Sequence, residues 1–254
     1  MGNSNGKVAV ITGATGGIGF TVAKRLGKDG YTVILNGIED SVGAEKVAEL
    51  TAAGIKAEYY GFDMTNDEEV TSNITAIGEK YGRIDVLVNN AGGIGVRARF
   101  EEMTTAEYKF VMALNLDSVF YASRAAIPFL KKGENASIIN YTSNAAWNGA
   151  GPGAGIYAVS KGGVQSITRA LAKDLAEYGI RVNAVSPGTI DTPFHAQIKA
   201  TKPEVFASWK SSVLLGRLGE PEEVANVVAF LASTDASFIT AETIQIGGGQ
   251  ALGI

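Results

Sequence analysis

The sequence contains no cysteine and only one histidine, and these absences exclude several kinds of chemistry. Without thiols the chain forms no disulfide, offers no thiol nucleophile and supplies no thiolate ligand to a metal. A zinc site made only of protein ligands usually needs several histidine or cysteine side chains, whereas this chain has His195 alone. We therefore expect no metal site.

The chain also lacks long apolar runs and an excess of positive charge. It has 254 residues, 46% of them hydrophobic, and a formal net charge of -4. No apolar stretch reaches the roughly 18 residues of a membrane-spanning helix, and nucleic-acid binding requires a basic face. The polar N-terminus does not resemble a secretory signal. We therefore expect a cytoplasmic protein that binds neither membranes nor nucleic acids.

Glycine, in contrast, is abundant: 32 of the 254 residues are glycine, but only 6 are proline. Average proteins contain about 7% glycine. The glycines follow no three-residue period, so neither collagen nor a disordered linker explains them. The fold must therefore need many positions of bare backbone.

Short β-branched apolar runs alternate with longer amphipathic stretches along the whole chain. Strands are predicted at 8–11, 32–35, 57–60, 86–88, 137–140, 181–185 and 243–246. Helices are predicted at 18–28, 41–53, 68–81, 106–130, 157–178 and 221–232. Strands that alternate with helices are typical of right-handed βαβ units. The pattern predicts a single α/β domain over 1–254, a doubly wound parallel sheet (Rossmann fold) of about seven strands with helices on both faces.

Two segments interrupt this alternation. The stretch 144–155 is rich in glycine and alanine and follows the fifth strand, and 187–212 follows the sixth. Ligands of doubly wound folds bind beyond the carboxyl ends of the strands, where both segments begin. We expect them to be walls of a substrate site, with 187–212 acting as a lid.

The first strand leads into a glycine-rich loop and then a helix, an arrangement that suits a dinucleotide. Gly13 permits a tight turn, and Gly17 and Gly19 let backbone and helix approach a pyrophosphate, which the helix N-terminus attracts. An ordinary strand–helix turn is the alternative, but the strand before and the helix after favour cofactor binding. The predicted binding residues of this loop are Gly13, Thr15, Gly16, Gly17, Ile18 and Gly19.

Tyr157 and Lys161 are four residues apart at the start of a predicted helix, so they share one face. A phenol has a reference pKa near 10 and is a poor acid–base catalyst at neutral pH. A nearby ammonium group favours the phenolate and is expected to lower that pKa, as proton transfer alongside hydride transfer requires. On its own such a pair is usually a surface coincidence. Behind a dinucleotide loop, it indicates a catalytic acid–base.

Several ordered motifs together resemble the short-chain dehydrogenase/reductase family. They are Gly13-x-x-x-Gly17-x-Gly19, Asn89-Asn90-Ala91-Gly92, Tyr157-x-x-x-Lys161 and Pro187-Gly188, and they span Lys7 to Gly249. The resemblance implies an enzyme that transfers hydride between a nicotinamide and a carbonyl or alcohol, usually as a homotetramer or homodimer.

The resemblance also implies roles for individual residues. Ser143 would polarise the substrate oxygen, with Thr142 as the neighbouring alternative. Asn115 would hold a proton-relay water, although a mid-helix kink is its other reading. Asp63 would contact adenine, or alternatively cap the next helix. The cofactor-binding positions beyond the glycine loop are Asn36, Glu39, Asp63, Met64, Asn90, Ala91, Gly92, Tyr157, Lys161, Pro187, Gly188, Ile190 and Thr192.

The end of the second strand favours NAD(H) over NADP(H). A carboxylate there binds the ribose 2′-OH of NAD, whereas an arginine accommodates the 2′-phosphate of NADP. The family's usual aspartate is absent, since Asn36 or Gly37 stands in its place, but Glu39 and Asp40 follow and no basic residue is near. NADP(H) remains possible.

Three features point toward a polar substrate. An arginine after the fourth strand, Arg97 or less favourably Arg99, can hold a carboxylate with two hydrogen bonds or simply be a solvated charge. Gly149 and Gly151 offer space and backbone N–H groups before Tyr157, or form a flexible surface loop. His195 either contacts substrate or faces solvent.

These three segments resemble one branch of the family, the bacterial reductases of 4-deoxy-L-erythro-5-hexoseulose uronate, a keto acid derived from alginate. The resemblance implies an oxidoreductase of carbohydrate metabolism that reduces a sugar-acid aldehyde. The alternatives are a 3-oxoacyl-[acyl-carrier-protein] reductase, a sugar or polyol dehydrogenase and, in a different class, a nucleotide-binding scaffold without turnover. The fold alone does not choose between substrates.

Overall fold

The computed structural model describes residues 6–193 and 196–250 and contains one parallel sheet. Its seven strands lie in the order β3-β2-β1-β4-β5-β6-β7. They are β1 (Val8–Ile11), β2 (Thr32–Gly37), β3 (Ala57–Gly61), β4 (Val86–Asn89), β5 (Ser137–Tyr141), β6 (Arg181–Pro187) and β7 (Thr243–Ile246). The predicted doubly wound α/β fold is confirmed, and every predicted strand is present, some longer by one or two residues.

Helices cover both faces of the sheet, and all six predicted helices are present, one of them interrupted. The helices of the structure are α1 (Gly17–Lys28), α2 (Asp40–Ala52), α3 (Asp67–Tyr81), α4 (Thr105–Met112), α5 (Ser118–Leu130), α6 (Ala145–Asn148), α7 (Gly155–Leu175), α8 (Ala196–Thr201), α9 (Pro203–Ser211) and α10 (Pro221–Ala232). The single helix predicted over 106–130 is interrupted by a π-helical turn at Ala113–Asp117. Short helices α6, α8 and α9 lie in the two segments that had no clear periodicity.

The central strands are buried because each face of the sheet packs against helices. All four residues of β1 are buried, and they alternate between two cores. Ala9 and Ile11 face the core that contains α1 and α10, whereas Val8 and Val10 face the core that contains α3 and α5. The continuous apolar runs of the sequence thus reflect strands that are covered on both sides.

Helix α3 shows how local chemistry sets an element boundary. The Asn66 side-chain oxygen accepts hydrogen bonds from the N–H groups of Glu68 (3.1 Å) and Glu69 (3.3 Å), which caps the helix. The helix ends at Gly82, whose φ of 73° is costly for other residues.

The strand order reverses between β1 and β4, and this reversal positions the functional site. From that point the chain winds outward in both directions, so the loops after β1 and β4 separate and leave a crevice at the carboxyl edge of the sheet. The loops after β5 and β6 leave from the same edge. Within the part of the chain that the structure describes, no helix is both long and apolar enough to cross a bilayer.

Candidate active site

The loop between β1 and α1 is tightly closed on its inner side and open on its outer side. A Cβ on Gly19 would lie 2.4 Å from the Gly13 carbonyl oxygen, and a Cβ on Gly13 would lie 2.9 Å from the Ala91 Cα. A Cβ on Gly16 or Gly17 would meet nothing within 4 Å. Glycine is therefore required for packing at the inner positions, while the outer ones leave bare backbone accessible.

Asn90 fixes this loop from the neighbouring strand. Its side-chain nitrogen donates to the carbonyl oxygens of Thr12 and Gly13, both at 2.9 Å. The Thr12 hydroxyl in turn accepts from the backbone N–H groups of Asn90 (3.1 Å) and Ala91 (3.0 Å). Asn90 and Ala91 thus lie at the crevice, and the asparagine amide supports the loop.

The residues at this crevice fit the pyrophosphate of a dinucleotide. The backbone N–H groups of the first turn of α1 have no acceptor within the helix, and among the described residues no side chain caps its N-terminus at Gly16. The positive end of the helix therefore points into open space above Gly16 and Gly17. Thr15 and Ile18 are half-buried at its rim.

Asn36, at the end of β2, is committed to holding the glycine loop. Its side-chain oxygen accepts from the Gly13 N–H (3.2 Å), and its nitrogen donates to the Phe62 carbonyl (3.0 Å). At the next position, a Cβ on Gly37 would lie 2.4 Å from the Thr15 methyl group. Thr15 therefore occupies the space that a strand-end carboxylate would need.

The acidic residues near the adenosine end of the crevice have different surroundings. Glu39 is exposed just before α2, and Asp40 begins that helix. One Asp63 oxygen accepts from both the N–H (2.8 Å) and the hydroxyl (2.9 Å) of Thr65, so Asp63 orders the turn before α3 rather than capping the helix. Met64 buries its side chain in the core, which leaves only its backbone for a cofactor.

Ser143 and Thr142 have opposite roles at the end of β5. The Thr142 side chain is buried, and its hydroxyl donates to the Lys161 carbonyl oxygen at 2.8 Å, a bond that ties β5 to α7. Ser143 is only half-buried and lies close enough to Tyr157 to favour ionisation of its hydroxyl, that is, to lower the pKa of Tyr157. Ser143 is therefore the residue that the structure brings to Tyr157.

Tyr157 and Lys161 lie on one face of α7, and Lys161 Nζ is 5.9 Å from the Tyr157 ring centroid. Lys161 is buried and donates to the Tyr141 carbonyl oxygen at 2.9 Å. Burial lowers the pKa of Lys161 to about 8. The expected lowering of the Tyr157 pKa is not found: burial raises the pKa of Tyr157, and the neighbouring Ser143 only partly opposes this. A phenol shielded from solvent resists ionisation, so Tyr157 stays protonated at neutral pH and can donate a proton.

Asn115 lies in the π-helical turn between α4 and α5 and is completely buried. Its side-chain oxygen accepts from the Gly93 N–H (2.9 Å), and its nitrogen donates to the Gly93 carbonyl (2.8 Å). A Cβ on Gly92 would lie 2.7 Å from the Asn115 side-chain oxygen and 3.1 Å from Lys161 Nζ. Asn115 can therefore both lie at a break in the helix and have a role in proton relay, because the π-helical turn brings its amide beside Lys161.

A pH profile tests the charge state of Lys161. With a pKa of about 8, the ammonium loses its proton as pH rises through that value, so we expect kcat/KM for carbonyl reduction to fall above it. The folded state also binds fewer protons than the unfolded chain between about 8 and 10.5, so thermal stability is expected to rise with pH there. Lys161→Arg keeps the positive charge and should remove the fall of kcat/KM above pH 8. If the pH profile of kcat/KM is unchanged in that variant, a group other than Lys161 titrates.

The loops after β4 and β5 meet at the proposed substrate side. The Ala98 N–H donates to the Gly153 carbonyl oxygen at 3.1 Å, which joins the two segments. Arg97 is exposed beside this bond. Gly149 has a φ of 78° and ends α6, and Gly151 faces open space. His195 lies outside the described residues.

Backbone hydrogen bonds hold the first residues of the segment 187–212 against neighbouring strands and loops. The Gly188 N–H donates to the Ile246 carbonyl oxygen at 3.0 Å beside Pro187, the last residue of β6. Ile190 is buried and pairs with Gly219, so its side chain packs into the core. Thr192 is half-buried at the start of the lid.

Three residues near the site were not predicted from the sequence. Phe100 is 70% exposed, yet it lies over α7 so closely that a Cβ on Gly155 would be 2.8 Å from its ring. Asn144 accepts from the Ser143 hydroxyl (3.3 Å), and Gln250 accepts from Asn144 (3.1 Å). Asn144 could have been found from the sequence because it directly follows Ser143. Phe100 and Gln250 belong to no motif, so nothing in the sequence selects them.

Comparison with known proteins identifies relatives of the whole chain. A family model described as enoyl-(acyl carrier protein) reductase matches residues 13–251. The chain is 37% identical over 249 residues to a cyclopentanol dehydrogenase of Comamonas testosteroni, covering 98% of both proteins. It is 39% identical over 244 residues to the 3-oxoacyl-[acyl-carrier-protein] reductase of Thermotoga maritima, covering 96% of this chain and 97% of that protein.

Solved structures show the same architecture. A putative gluconate dehydrogenase from Agrobacterium tumefaciens superimposes with a TM-score of 0.93 at 30% identity, covering 99% of this chain and 98% of the other. A short-chain type dehydrogenase/reductase from Mycobacterium ulcerans gives a TM-score of 0.92, also at 30% identity, covering 98% and 91%. The structural similarity therefore extends over nearly the whole chain.

Proposed function

Because the chain belongs to the short-chain dehydrogenase/reductase family, we propose that Tyr157, Ser143, Lys161 and Asn115 form its catalytic centre. The family uses NAD(P)(H), and its members act on alcohols and ketones. The observation that supports this proposal most directly is buried Lys161 on the same face of α7 as Tyr157, 5.9 Å from its ring centroid, with Ser143 beside the tyrosine.

The residues divide the proposed reaction among themselves. A dinucleotide whose pyrophosphate is held by the loop of Gly13 to Gly19 would supply or accept the hydride through its nicotinamide. In reduction, the Tyr157 hydroxyl gives its proton to the substrate oxygen, and the Ser143 hydroxyl holds that oxygen by a hydrogen bond. Lys161 and Asn115 lie behind Tyr157, where Lys161 stabilises the resulting phenolate and Asn115 orders the path of proton replacement. The raised pKa of Tyr157 favours the reductive direction.

The charge near the end of β2 supports a preference for NADH. Glu39 and Asp40 carry negative charge there, and neither the glycine loop nor Leu35 to Asp40 contains a basic residue. A 2′-phosphate would be repelled by these carboxylates without a compensating cation.

A kinetic comparison of the two cofactors tests this preference. We expect kcat/KM with NADH to exceed that with NADPH by about tenfold or more, because about 1.4 kcal/mol of repulsion gives a factor of ten. Glu39→Gln should lower the ratio of kcat/KM with NADH to kcat/KM with NADPH. Glu177→Gln is the control and should leave this ratio unchanged, because Glu177 is exposed after α7, far from the crevice. A wild-type preference for NADPH would overturn the proposal.

For the substrate, we favour a polar carbonyl that bears a carboxylate, such as the uronate-derived keto acid 4-deoxy-L-erythro-5-hexoseulose uronate. Exposed Arg97 stands beside the bond that joins Ala98 to Gly153, so its guanidinium can reach the mouth of the site. Gly149 and Gly151 leave space for hydroxyl groups. The neighbouring gluconate dehydrogenase, itself a putative assignment, is named for a sugar acid.

Arg97→Ala tests the carboxylate contact. Losing a charge-assisted hydrogen bond of about 1.5–3 kcal/mol should raise KM for acidic carbonyls by about 10- to 100-fold, and leave neutral ketones within about twofold. Arg99→Ala, an exposed arginine on the same loop, is the matched control. Equal increases in KM of Arg97→Ala for acidic and neutral substrates would show that Arg97 does not bind the substrate carboxylate.

A 3-oxoacyl-[acyl-carrier-protein] reductase is the second candidate, favoured by the 39% identity to the Thermotoga maritima enzyme. Exposed Phe100 above Gly155 also offers an apolar surface for an acyl chain. A panel of uronate-derived keto acids, plain sugars or polyols and acyl thioesters, assayed by cofactor absorbance, separates these reactions. Fastest turnover of the thioester with NADPH would replace our proposal, and fastest turnover of a neutral sugar or polyol would indicate a sugar dehydrogenase.

We also propose that the chain forms a homotetramer or homodimer. Phe110 on α4, Phe120 on α5 and Val159 on α7 are large apolar side chains that are 44–53% exposed, and all three helices contact the π-helical turn Ala113–Asp117. Such a patch on a single chain is typical of an interface. Sedimentation at several concentrations measures the assembly. The cytoplasmic location stays a prediction from the sequence.

A further inference from the structure

Gln250 is the centre of a small hydrogen-bond network that no part of the proposed mechanism uses. Its side-chain oxygen accepts from the backbone N–H of Thr189 at 2.8 Å and from the Asn144 side chain at 3.1 Å. Its side-chain nitrogen donates to the hydroxyls of Thr189 at 2.9 Å and Ser212 at 3.1 Å. One amide thus contacts three separate segments of the chain.

The orientation of this amide follows from its partners. The Thr189 backbone N–H can only donate, so the Gln250 atom that faces it must be the oxygen. The nitrogen is then directed at Thr189 and Ser212, whose hydroxyls can accept. The packing is close as well, because a Cβ on Gly188 would lie 2.6 Å from the Gln250 oxygen. Glycine at 188 therefore leaves room for this side chain.

The three segments held by Gln250 are those that surround the proposed substrate. Asn144 follows Ser143 and accepts a hydrogen bond from its hydroxyl at 3.3 Å. Thr189 lies just after β6, where the lid segment 187–212 begins, and Ser212 lies at its other end. A continuous path therefore runs from the catalytic hydroxyl through Asn144 and Gln250 to both ends of the lid.

We propose that Gln250 is a positioning residue that couples the orientation of the Ser143 hydroxyl to the seating of the lid segment. The proposal rests on the proposed function, in which the single proton of the Ser143 hydroxyl is donated to the Asn144 oxygen in the free protein and turns to the substrate oxygen when substrate binds. Gln250 contacts neither reacting atom: it acts through Asn144 on one side and through Thr189 and Ser212 on the other. A polar network whose members are all satisfied holds one arrangement, and losing one member frees the others.

The chain offers a matched set of variants for the test. Gln250→Met keeps the length of the side chain but removes its hydrogen bonds. Gln250→Glu keeps acceptors for the Thr189 N–H, the Thr189 hydroxyl and Asn144. It loses the bond to Ser212, whose hydroxyl proton is donated to the Trp209 carbonyl oxygen. Gln245→Met changes an exposed glutamine in β7, five residues earlier, and serves as the control.

Steady-state kinetics give the first readout. Losing several neutral hydrogen bonds around Ser143 should lower kcat of Gln250→Met by about ten- to hundredfold. KM for the cofactor should rise by a smaller factor than kcat falls, because Gln250 contacts the proposed cofactor positions only at Thr189, between Gly188 and Ile190, and leaves the glycine loop untouched. Gln250→Glu should recover most of kcat, and Gln245→Met should match the wild type. An unchanged kcat in Gln250→Met, or a Gln250→Glu variant as slow as Gln250→Met, would overturn the proposal.

Tryptophan fluorescence gives a second readout that needs no turnover. The chain has two tryptophans, Trp147 in α6 and Trp209 in α9 of the lid. In a Trp147→Phe background, acrylamide quenching of Trp209 should increase in Gln250→Met and not in Gln245→Met. Unchanged quenching would overturn the coupling to the lid. Ser212 is not suitable for a second variant, because its hydroxyl also donates to the Trp209 carbonyl oxygen at 2.7 Å. If Gln250→Met fails to fold, Thr189→Val removes the other lid hydroxyl that accepts from Gln250 and must also increase quenching for the proposal to stand.

Ser143→Ala separates this proposal from the proposed function. That variant should lose turnover but keep the Trp209 quenching of the wild type, because the contacts of Gln250 with Thr189 and Ser212 remain. Full turnover in Ser143→Ala would refute the catalytic role of Ser143, whereas the tie between Gln250 and the lid would still be judged from Trp209.

Discussion

Replacing Tyr157 by phenylalanine is expected to reduce kcat for carbonyl reduction by about a thousandfold, within the range that general acid–base groups contribute. The variant loses only the hydroxyl beside Ser143. The aromatic ring stays in place on α7, and the glycine loop is untouched, so cofactor affinity and melting temperature should change little.

The appropriate control is Tyr178→Phe, which removes a hydroxyl from an exposed tyrosine after α7, far from the crevice. It should retain wild-type turnover. Turnover by Tyr157→Phe at the wild-type rate with any substrate of the panel would remove Tyr157 from the mechanism. Cofactor binding without turnover in the wild type would instead indicate a nucleotide-binding scaffold.

Gly19→Ala is expected to weaken cofactor binding by about 100-fold and to lower the free energy of unfolding by about 1–3 kcal/mol, the usual cost of overpacking. The added methyl group would lie 2.4 Å from the Gly13 carbonyl oxygen and 2.5 Å from the Asn90 side-chain nitrogen. Because the first of these is backbone, α1 must move away from the loop. The N–H groups of its first turn then no longer converge on the pyrophosphate.

Gly16→Ala provides a matched comparison in the same loop. Its Cβ would meet nothing within 4 Å, and its φ of -173° is accessible to any residue. We expect stability close to that of the wild type, measured by thermal unfolding, and a much smaller change in cofactor Kd, measured by fluorescence titration. Equal losses in both variants would show that packing against Gly13 is not what Gly19 provides.

The pH profile and these substitutions address different steps of the same site. The raised pKa of Tyr157 and the lowered pKa of Lys161 both arise from burial, which disfavours charge on either group. The spacing of Tyr157 and Lys161 indicates only the mutual attraction of ammonium and phenolate, because burial is not visible in it. Burial depends on how α7 packs against β5 and the loop after β4, which spacing alone does not reveal.

Neighbouring positions in the sequence also received different roles from the structure. Thr142 and Ser143 were both candidates to hold the substrate oxygen, and the direction of their side chains distinguishes them: Thr142 bonds the Lys161 carbonyl and Ser143 meets Tyr157. In the same way, the Asn36 side chain supports the glycine loop through Gly13. Only the strand pleat and the packing of its neighbours determine such choices.

The sequence by itself determined the fold class and the regions of the site. Continuous apolar runs require strands covered on both faces, and their alternation with helices requires a parallel, doubly wound sheet. Glycines after β1 require backbone that a ligand or helix approaches closely. These conclusions depend on local patterns, which can be recognised from the order of the residues alone.

The tertiary structure alone decided which side chains meet. The contacts of Gln250 with Asn144, Thr189 and Ser212 join residues 38 to 106 positions apart. The π-helical turn that places Asn115 beside Gly92 and Lys161 left no periodic signal, since one irregular turn barely disturbs an amphipathic pattern. Distances, burial and pKa shifts arise from long-range packing, which the order of residues implies but does not display.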